Sequence, residues 1–285
     1  MNTNRMIRVL GMVMLVGTLM VTIAGCGNTG SGGNQSKAEV KAPEQLAESG
    51  KLTFGTAATF PPFEYMQGSK YVGFDIEMGE ALAKEMGLES NIQAMNFDGL
   101  IPALNGKRLD MINSAMYIKP EREEQVDFIP YLVLGNSIVV KKGNPENITT
   151  MDNLSGKTCA VTRGAVEEIY CRDTNKKLES KGKSPITILA LPTANDSVLA
   201  TEQGRADAFL VSSPGAAYLM EKKPDTFEIA GTFAAETKIG IAVRKGDTET
   251  KEAVEKALKK LVENGTFESL MKKYNLPTEM NYFAK

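Results

Sequence analysis

Apolar positions along the chain follow two spacings, one typical of strands and one typical of helices. Lys51-Leu52-Thr53-Phe54 begins an apolar run that cannot continue through Pro61-Pro62, so a short strand is predicted before the prolines. Apolar runs, most of them rich in β-branched residues, predict buried strands at 51–56, 109–114, 138–140 and 158–162.

The helical spacing appears between these runs. From 75 to 86 apolar residues recur every three or four positions and Gly87 follows, which predicts an amphipathic helix with a glycine C-cap. Further helices are predicted at 97–105, before Gly106, and at 166–178. This alternation of strands and helices predicts an α/β protein.

Two segments repeat the same order of features. Residues 103–114 and 199–210 each contain a helix end, a glycine, a basic residue, an aspartate and a buried strand, which predicts two lobes of similar construction. Ligands of open α/β sheets bind beyond the carboxyl ends of the strands. We therefore expect residues 113–114 and 212–213 to face each other across a cleft.

The start of the chain has the pattern of an export signal. Arg5 and Arg8 precede a nearly uncharged run over 9–21, which is shorter than the about 20 apolar residues of a membrane span. Ile23-Ala24-Gly25-Cys26 resembles the lipobox of bacterial lipoproteins, which implies that Cys26 carries lipid, palmitate included, and begins the mature chain. The protein would then be extracytoplasmic and anchored to the membrane. The alternative is an ordinary signal peptide with an incidental cysteine.

Composition narrows the function further. After a signal peptide at 1–25, the segment 26–42 is rich in Gly, Ser and Asn and is predicted to be a flexible tether. The remaining residues are enough for two modest lobes. Lys and Arg total 33 against 35 Asp and Glu, so no charge excess would attract nucleic acid.

The chain has no histidine, which excludes Ser-His-Asp and Cys-His catalysis and every metal site that needs histidine. No cofactor or metal is expected. Beyond Cys26 the only cysteines are Cys159 and Cys171, which do not match a structural zinc pattern. They form either a disulfide or two separate buried thiols, and the sequence leaves both alternatives open.

From Lys51 to Asn275 the chain resembles the extracellular solute-binding proteins of amino-acid ABC importers. The motifs that carry the resemblance are Thr59-Phe60-Pro61-Pro62-Phe63-Glu64, Val72-Gly73-Phe74-Asp75-Ile76-Glu77, Phe97-Asp98-Gly99-Leu100-Ile101-Pro102-Ala103-Leu104, Ile118-Lys119-Pro120-Glu121-Arg122-Glu123 and Asn264-Gly265-Thr266-Phe267. Each motif is weak alone, and their order and spacing behind a lipobox make the match specific.

The resemblance implies the type II periplasmic-binding-protein fold, an α/β fold in which two lobes joined by two crossover strands enclose a ligand cleft. Lobe 1 would comprise 43–137 plus 237–285, and lobe 2 would comprise 138–236. The function implied is that of a monomeric receptor, not an enzyme, which binds an amino acid or a related small carboxylate. Its partners would be that ligand, the membrane permease subunits of an ABC importer and, through Cys26, the lipid bilayer.

The resemblance also assigns the site. Arg122 is the implied carboxylate-binding residue, since a guanidinium fork suits a carboxylate. Backbone N–H groups at 164–166 would help hold the same group, and the rings of Phe60 and Phe97 would enclose the ligand. The implied ligand-binding residues are Phe60, Phe97, Ser114, Ala115, Tyr117, Arg122, Gly164, Ala165, Val166 and Ser212.

The chain departs from the family pattern at its acids. Ser212 and Ala57 stand where the family commonly has acidic partners for the ligand ammonium, so the empty cleft is expected to be net positive and weakly selective for an ammonium. Tyr117, Ala165 and Val166 replace hydroxyl residues and favour a smaller, more apolar pocket. Glu167 or Glu168 would supply an acid if it turned inward, but first-turn acids usually face solvent.

An enzyme remains the second hypothesis. Dehydratases of the cyclohexadienyl type share this fold and need a buried acid as proton donor. Ser212 occupies the best-matched acidic position, which argues against that activity. The identity of the ligand, the presence of an α-ammonium on it and the type of cell envelope stay open.

Overall fold

The structure is a computed structural model that describes residues 40–284. The predicted signal peptide, Cys26 and nearly all of the tether lie outside the described residues. No helix within 40–284 is long and apolar enough to cross a membrane.

The described part of the chain forms eleven strands and eight α-helices. The strands are β1 (Lys51–Thr56), β2 (Thr59–Phe60), β3 (Glu64–Gln67), β4 (Lys70–Val72), β5 (Glu89–Ala94), β6 (Met111–Ile112), β7 (Val126–Lys141), β8 (Thr158–Thr162), β9 (Thr187–Leu191), β10 (Ala208–Ser212) and β11 (Phe227–Arg244). The helices are α1 (Phe74–Glu85), α2 (Leu100–Asn105), α3 (Pro120–Glu123), α4 (Val166–Ser180), α5 (Ala194–Glu202), α6 (Ser213–Lys222), α7 (Thr248–Glu263) and α8 (Thr266–Lys273).

Eight of the strands form one sheet in the order β5-β1-β6-β11-β7-β10-β8-β9, and β2, β3 and β4 form a small antiparallel sheet. Strands β5, β1 and β6 are parallel to one another, as are β10, β8 and β9. The antiparallel pair β7–β11 lies between the two parallel sets. The fold is thus the type II periplasmic-binding-protein fold, with two α/β lobes joined by two crossover strands.

Each lobe has its own hydrophobic core. The lobe with β1 buries Phe54, Phe74 and Leu82, while the lobe with β8 buries Val161, Leu178 and Phe209. The predicted lobe boundaries at 137 and 237 fall in the middle of β7 and β11 and stay a prediction.

The crossover is marked by an irregularity in β11. The ladder shifts between Phe233, which pairs with Asn136, and Thr237, which pairs with Leu134, so residues 234–236 lie opposite Gly135 alone. Ala234 has a left-handed φ of 47° at this point. Three residues therefore occupy the space of one, as in a β-bulge.

The predicted elements agree with the observed ones to different degrees. The strands at 51–56 and 158–162 and the helices at 75–86 and 166–178 are present nearly as predicted. The segment 97–105 divides into a short 3-10 helix followed by α2, and the predicted strand 109–114 pairs only at Met111–Ile112. The run 138–140 is the end of the sixteen-residue β7, whose length the sequence analysis missed.

Candidate ligand-binding site

A cavity lies between the two lobes, near the carboxyl ends of β1, β6, β8 and β10. The volume open to the centre of a water molecule is about 60 Å³. One wall comes from the first lobe, from the segments around Phe60, Phe97 and Ser114, and the other comes from the N-termini of α4 and α5 and the strand β10. A cavity with both lobes in its walls suits a ligand that stabilises their closure.

Seven of the ten residues implied by the resemblance line this cavity. These seven are Phe60, Phe97, Ser114, Ala115, Tyr117, Ala165 and Val166. Arg122, Gly164 and Ser212 are not among the lining residues. The role of each in binding stays a prediction, and the structure shows what each one contacts.

Arg122 is buried beside the cavity and bridges the two lobes. Its Nη1 donates to the carbonyl of Tyr117 at 2.7 Å, and its Nη2 donates to the carbonyl of Gly164 at 2.8 Å. The guanidinium carbon lies 5.3 Å from the centroid of the Phe97 ring. Burial lowers the pKa of Arg122 to about 10, so the group stays charged at neutral pH. Two of the donors expected to hold a ligand carboxylate thus hold backbone carbonyls.

Gly164 lies against the first lobe, and its backbone is fully used. Its carbonyl accepts from Arg122, and its N–H donates to Oε2 of Glu168 at 2.8 Å. A Cβ at this position would lie 3.1 Å from the Cβ of Asp98, and the φ of 74° is left-handed, so a side chain is doubly unfavourable. The N–H predicted to hold a ligand carboxylate is occupied by Glu168 in this structure.

Ser212 has a structural role that the sequence analysis missed. It ends β10 and is the N-cap of α6, where its Oγ accepts from the N–H of Gly215 at 3.2 Å. It is fully buried. The expectation that 212–213 faces 113–114 across the cleft is therefore wrong in detail, because Ser114 lines the cavity while β10 contributes Phe209, Leu210 and Val211.

Two acids line the cavity, which contradicts the expectation of a net positive site without an offsetting acid. Glu64 is 1% exposed, and its Oε1 accepts from the hydroxyl of Ser114 at 2.8 Å. Its Oε2 has no hydrogen-bond partner among the described residues. Burial, followed by the charge of Asp75, raises the pKa of Glu64 well above its ordinary value. The cavity wall therefore holds a buried carboxyl that is harder to ionise than an ordinary glutamate.

Asp75 lies behind Glu64 and belongs to a closed network. It accepts from the Tyr131 hydroxyl at 2.8 Å and from the N–H of Ala115 at 2.6 Å. Burial raises the pKa of Asp75 to about 7, although these hydrogen bonds oppose the shift.

Glu167 is the second acid, and the expectation that it faces solvent is wrong. It lies in the first turn of α4, is 6% exposed and lines the cavity. Burial raises its pKa to about 7, against the hydrogen bond from its own N–H and the charge of Arg122. Its neighbour Glu168 differs because it forms an ion pair with Arg172 at 2.5 Å. Desolvation is the largest influence on the pKa of Glu168 and would raise it, but the hydrogen bonds and charges around Glu168 together lower this pKa.

Glu64 was missed, although the sequence contains a signal for it. Glu64 pairs with Phe60 across the β2–β3 hairpin, and directly paired residues project from the same face of a sheet. Placing Phe60 at the ligand thus also places Glu64 there. The α5 residues Ala194, Ser197 and Val198 were missed as well, and they follow a capping box at Thr193.

The cysteines lie away from the cavity. Cys159 in β8 and Cys171 in α4 are both fully buried free thiols. The hydrogen bond to Cys171 and then burial raise the pKa of Cys159 well above its ordinary value. The two thiols are hydrogen-bonded to each other and are not joined by a disulfide in this structure, and the choice between the two alternatives stays a prediction. Within 40–284 no group of three or more His, Cys, Asp or Glu side chains could hold a metal ion.

Known proteins resemble the chain over nearly all of its described length. The arginine-binding extracellular protein ArtP of Bacillus subtilis is 32% identical over 265 residues, which are 92% of this chain and 96% of ArtP. An ancestral arginine-binding protein bound to arginine is 35% identical with a TM-score of 0.73, and covers 79% of this chain and 98% of its own. The same kind of ancestral protein bound to glutamine is 33% identical with a TM-score of 0.74, and covers 81% of this chain and 100% of its own.

The family model of the bacterial extracellular solute-binding proteins, family 3, matches residues 52–277. This span contains every residue that lines the cavity. The chain therefore belongs to family 3 of the bacterial extracellular solute-binding proteins.

Proposed function

We propose that the protein is the receptor of an amino-acid ABC importer, which captures an amino acid in the cavity between its lobes and delivers it to the membrane permease. The observation that carries this proposal is the arrangement around Arg122. A buried guanidinium that contacts both lobes beside the cavity is suited to a ligand carboxylate, which would replace the carbonyl of Gly164 as its acceptor. The relatives named as arginine-binding support an amino-acid ligand.

The ligand-binding residues in this proposal remain those that the sequence implied, with two acids added. Phe60 and Phe97 would contact the apolar part of the ligand, Ser114 and the α4 N-terminus at Ala165 and Val166 would contact its polar part, and Arg122 would bind its carboxylate. Ala115 and Tyr117 would complete the wall, while Ser212 would act only by holding α6.

Thermal unfolding of the full-length chain in detergent tests the proposal. Because the chain has no tryptophan, circular dichroism is the suitable signal. The panel comprises the twenty L-amino acids, simple amines and small carboxylates. A ligand at about one hundred times its dissociation constant should add about 2.7 kcal/mol of stability. If no amino acid raises the melting temperature, the proposal is wrong.

Anchoring through Cys26 is a second part of the proposal. It rests on the lipobox and on the extracytoplasmic location of the relatives. The full-length chain expressed in a bacterial host should partition into the membrane fraction, and Cys26→Ala should appear in the soluble export fraction or stay unprocessed. Labelled palmitate should be incorporated into the wild type and not into Cys26→Ala, and its absence from the wild type would contradict lipidation of Cys26.

A dehydratase is the second candidate function, and one observation favours it. The buried acid that such an enzyme needs, absent at Ser212, is present in the cavity at Glu64 and Glu167, and burial raises the pKa of both. Incubation of the full-length chain with arogenate or prephenate, followed by chromatography of the aromatic product, tests it. Absence of turnover leaves the receptor as the function.

A further inference from the structure

Two adjacent glutamates at the start of α4 have opposite surroundings. Glu168 is paired with Arg172 and accepts from the N–H of Gly164, so its charge is balanced within the protein. Glu167 is buried in the cavity wall and has neither an ion pair nor a hydrogen bond from another side chain of the described residues. A buried carboxyl without a cationic partner is unfavourable when charged.

Two further polar atoms around the cavity lack hydrogen-bond partners within the described part of the chain. Glu64 leaves Oε2 without a donor, and across the cavity the fully buried hydroxyl of Ser197 has no partner among the described residues. Protein groups that are buried and polar are normally paired. Within 40–284, Oε2 of Glu64 and the hydroxyl of Ser197 therefore lack the partners that a bound molecule would bring, and Glu167 accepts a hydrogen bond only from its own N–H.

The charged side chains around the cavity indicate the net charge of that bound molecule. The charged side chains that line the cavity are Glu64 and Glu167, one on each wall, and no lysine or arginine of the described chain lines it. Arg122, beside the cavity, supplies one positive charge against these two acids. The rings of Phe60 and Phe97 add faces that attract a cation. When a bound cation ionises both carboxyls, the site carries one more negative than positive charge and is complementary to a ligand of net positive charge.

We propose that Glu167 selects a ligand of net positive charge by accepting hydrogen bonds from a cationic group on the ligand's side chain, with the Glu64 wall facing the same ligand. This inference rests on the proposed function, since it names the class of amino acid that the receptor binds. It replaces the weak preference for a cation that the missing aspartates suggested.

The test is isothermal titration calorimetry with L-arginine and L-citrulline, on the full-length chain in detergent. The two probes have the same length, and a neutral urea replaces the guanidinium in citrulline. The wild type should bind arginine at least thirtyfold more tightly than citrulline. Glu167→Gln should reduce this ratio at least tenfold, mainly by weakening arginine. The control Asp173→Asn removes an exposed acid from the same helix, and should leave the ratio within twofold of wild type.

A second measurement uses the wild type alone. Arginine should release up to about half a proton at pH 7, measured in two buffers of different ionisation enthalpy, because a cation lowers the pKa of a half-protonated Glu167. Three titratable groups of the described residues face Glu167: Arg122 from α3, Tyr117 from the segment before α3 and Cys159 from β8. The ordinary pKa of each of these side chains lies well above 7. The Glu64 and Asp75 pair also borders the cavity, so Glu64→Gln is titrated in parallel.

The outcomes separate the two proposals. Citrulline or another neutral amino acid binding as tightly as arginine overturns this inference and leaves the receptor function standing. An unchanged ratio in Glu167→Gln, or loss of proton release in Glu64→Gln with retention in Glu167→Gln, overturns the assignment to Glu167. If no amino acid binds at all, the proposed function fails and this inference fails with it.

Discussion

The two walls of the cavity are built differently. In the first lobe, Glu64, Ser114 and Asp75 are linked by hydrogen bonds to each other or to Tyr131 and the backbone. In the second lobe, Glu167 and Ser197 project into the cavity with no bond to another side chain. Apart from Oε2 of Glu64, the first wall is therefore held in place before binding, while the polar groups of the second wall have no side-chain partner among the described residues. Removing a group from the first wall should reduce stability, and removing one from the second should change binding.

Asp75→Ala is expected to have the largest effect on stability. It leaves the Tyr131 hydroxyl and the Ala115 N–H buried without an acceptor, so we expect a loss of about 3 kcal/mol in the free energy of unfolding. Urea unfolding followed by circular dichroism measures it. Glu80→Ala, an exposed acid on the same helix, should change stability by less than about 0.5 kcal/mol. Equal effects of the two substitutions would contradict a prearranged first wall.

Arg122→Ala tests the link between the walls. The carbonyls of Tyr117 and Gly164 lose a charged donor, so stability should fall by about 2 kcal/mol, and amino-acid binding should be lost. Arg163→Ala is the control, because Arg163 also reaches across to the first lobe, at 3.8 Å from Asp98, but is half exposed. That surface pair should contribute less than about 0.5 kcal/mol. A smaller loss for Arg122→Ala than for Arg163→Ala would refute the bridging role.

Ligand binding at the second wall should depend on pH. Glu167 has a pKa raised to about 7 by burial, and only its charged form attracts a cation. Affinity for arginine should therefore rise about tenfold from pH 6 to pH 8 and then level off. Glu167→Gln should flatten this profile in calorimetric titrations. A profile that falls with pH would show that Glu167 repels the bound group.

The same raised pKa has a consequence for stability. An acid whose pKa is higher in the folded state binds more protons when folded, so its contribution to stability is present below the unfolded value and is lost as pH rises through about 7. Without ligand, Glu167→Gln should therefore be more stable than wild type at pH 8 and no more stable at pH 4. Thermal unfolding at the two pH values compares them, and equal differences would count against burial of an unpaired charge.

Ser212 should have the smallest effect. Ser212→Ala removes the cap on α6 and should cost about 1 kcal/mol, whereas Ser212→Thr retains a capping hydroxyl and should cost less. Urea unfolding distinguishes the two. Because Ser212 does not line the cavity, neither substitution should alter the ratio of arginine to citrulline affinity. A clear change of that ratio in either variant would restore Ser212 to the binding site.

The sequence predicted the fold better than the charges of the site. Local patterns were sufficient for α1 and α4, because each has a periodic apolar face and an end signal in nearby residues. They were insufficient for β7, since a strand that passes through two cores is buried on both faces and loses its alternation. Its length depends on pairing with β11, more than a hundred residues later.

The sequence also could not predict which individual acidic side chains are buried in the cavity. Glu167 and Glu168 are adjacent and chemically identical, and only their packing distinguishes the one in the cavity from the one paired with Arg172. For Arg122, the resemblance to the family implied a role in binding the ligand carboxylate. The local sequence did not indicate that the guanidinium of Arg122 would donate to the carbonyl of Gly164.

The irregular stretch at 234–236 is the point at which we expect one lobe to move relative to the other. Within 40–284 the two crossover strands are β7 and β11, and there the ladder lacks partners for three residues of β11 opposite Gly135. Because the two strands are paired on either side of this stretch and not within it, we expect the lobes to rotate about this point, so that a single angle describes the motion. One distance, measured between spectroscopic labels on the exposed positions Gln67 and Glu221, would therefore follow the whole opening and closing motion.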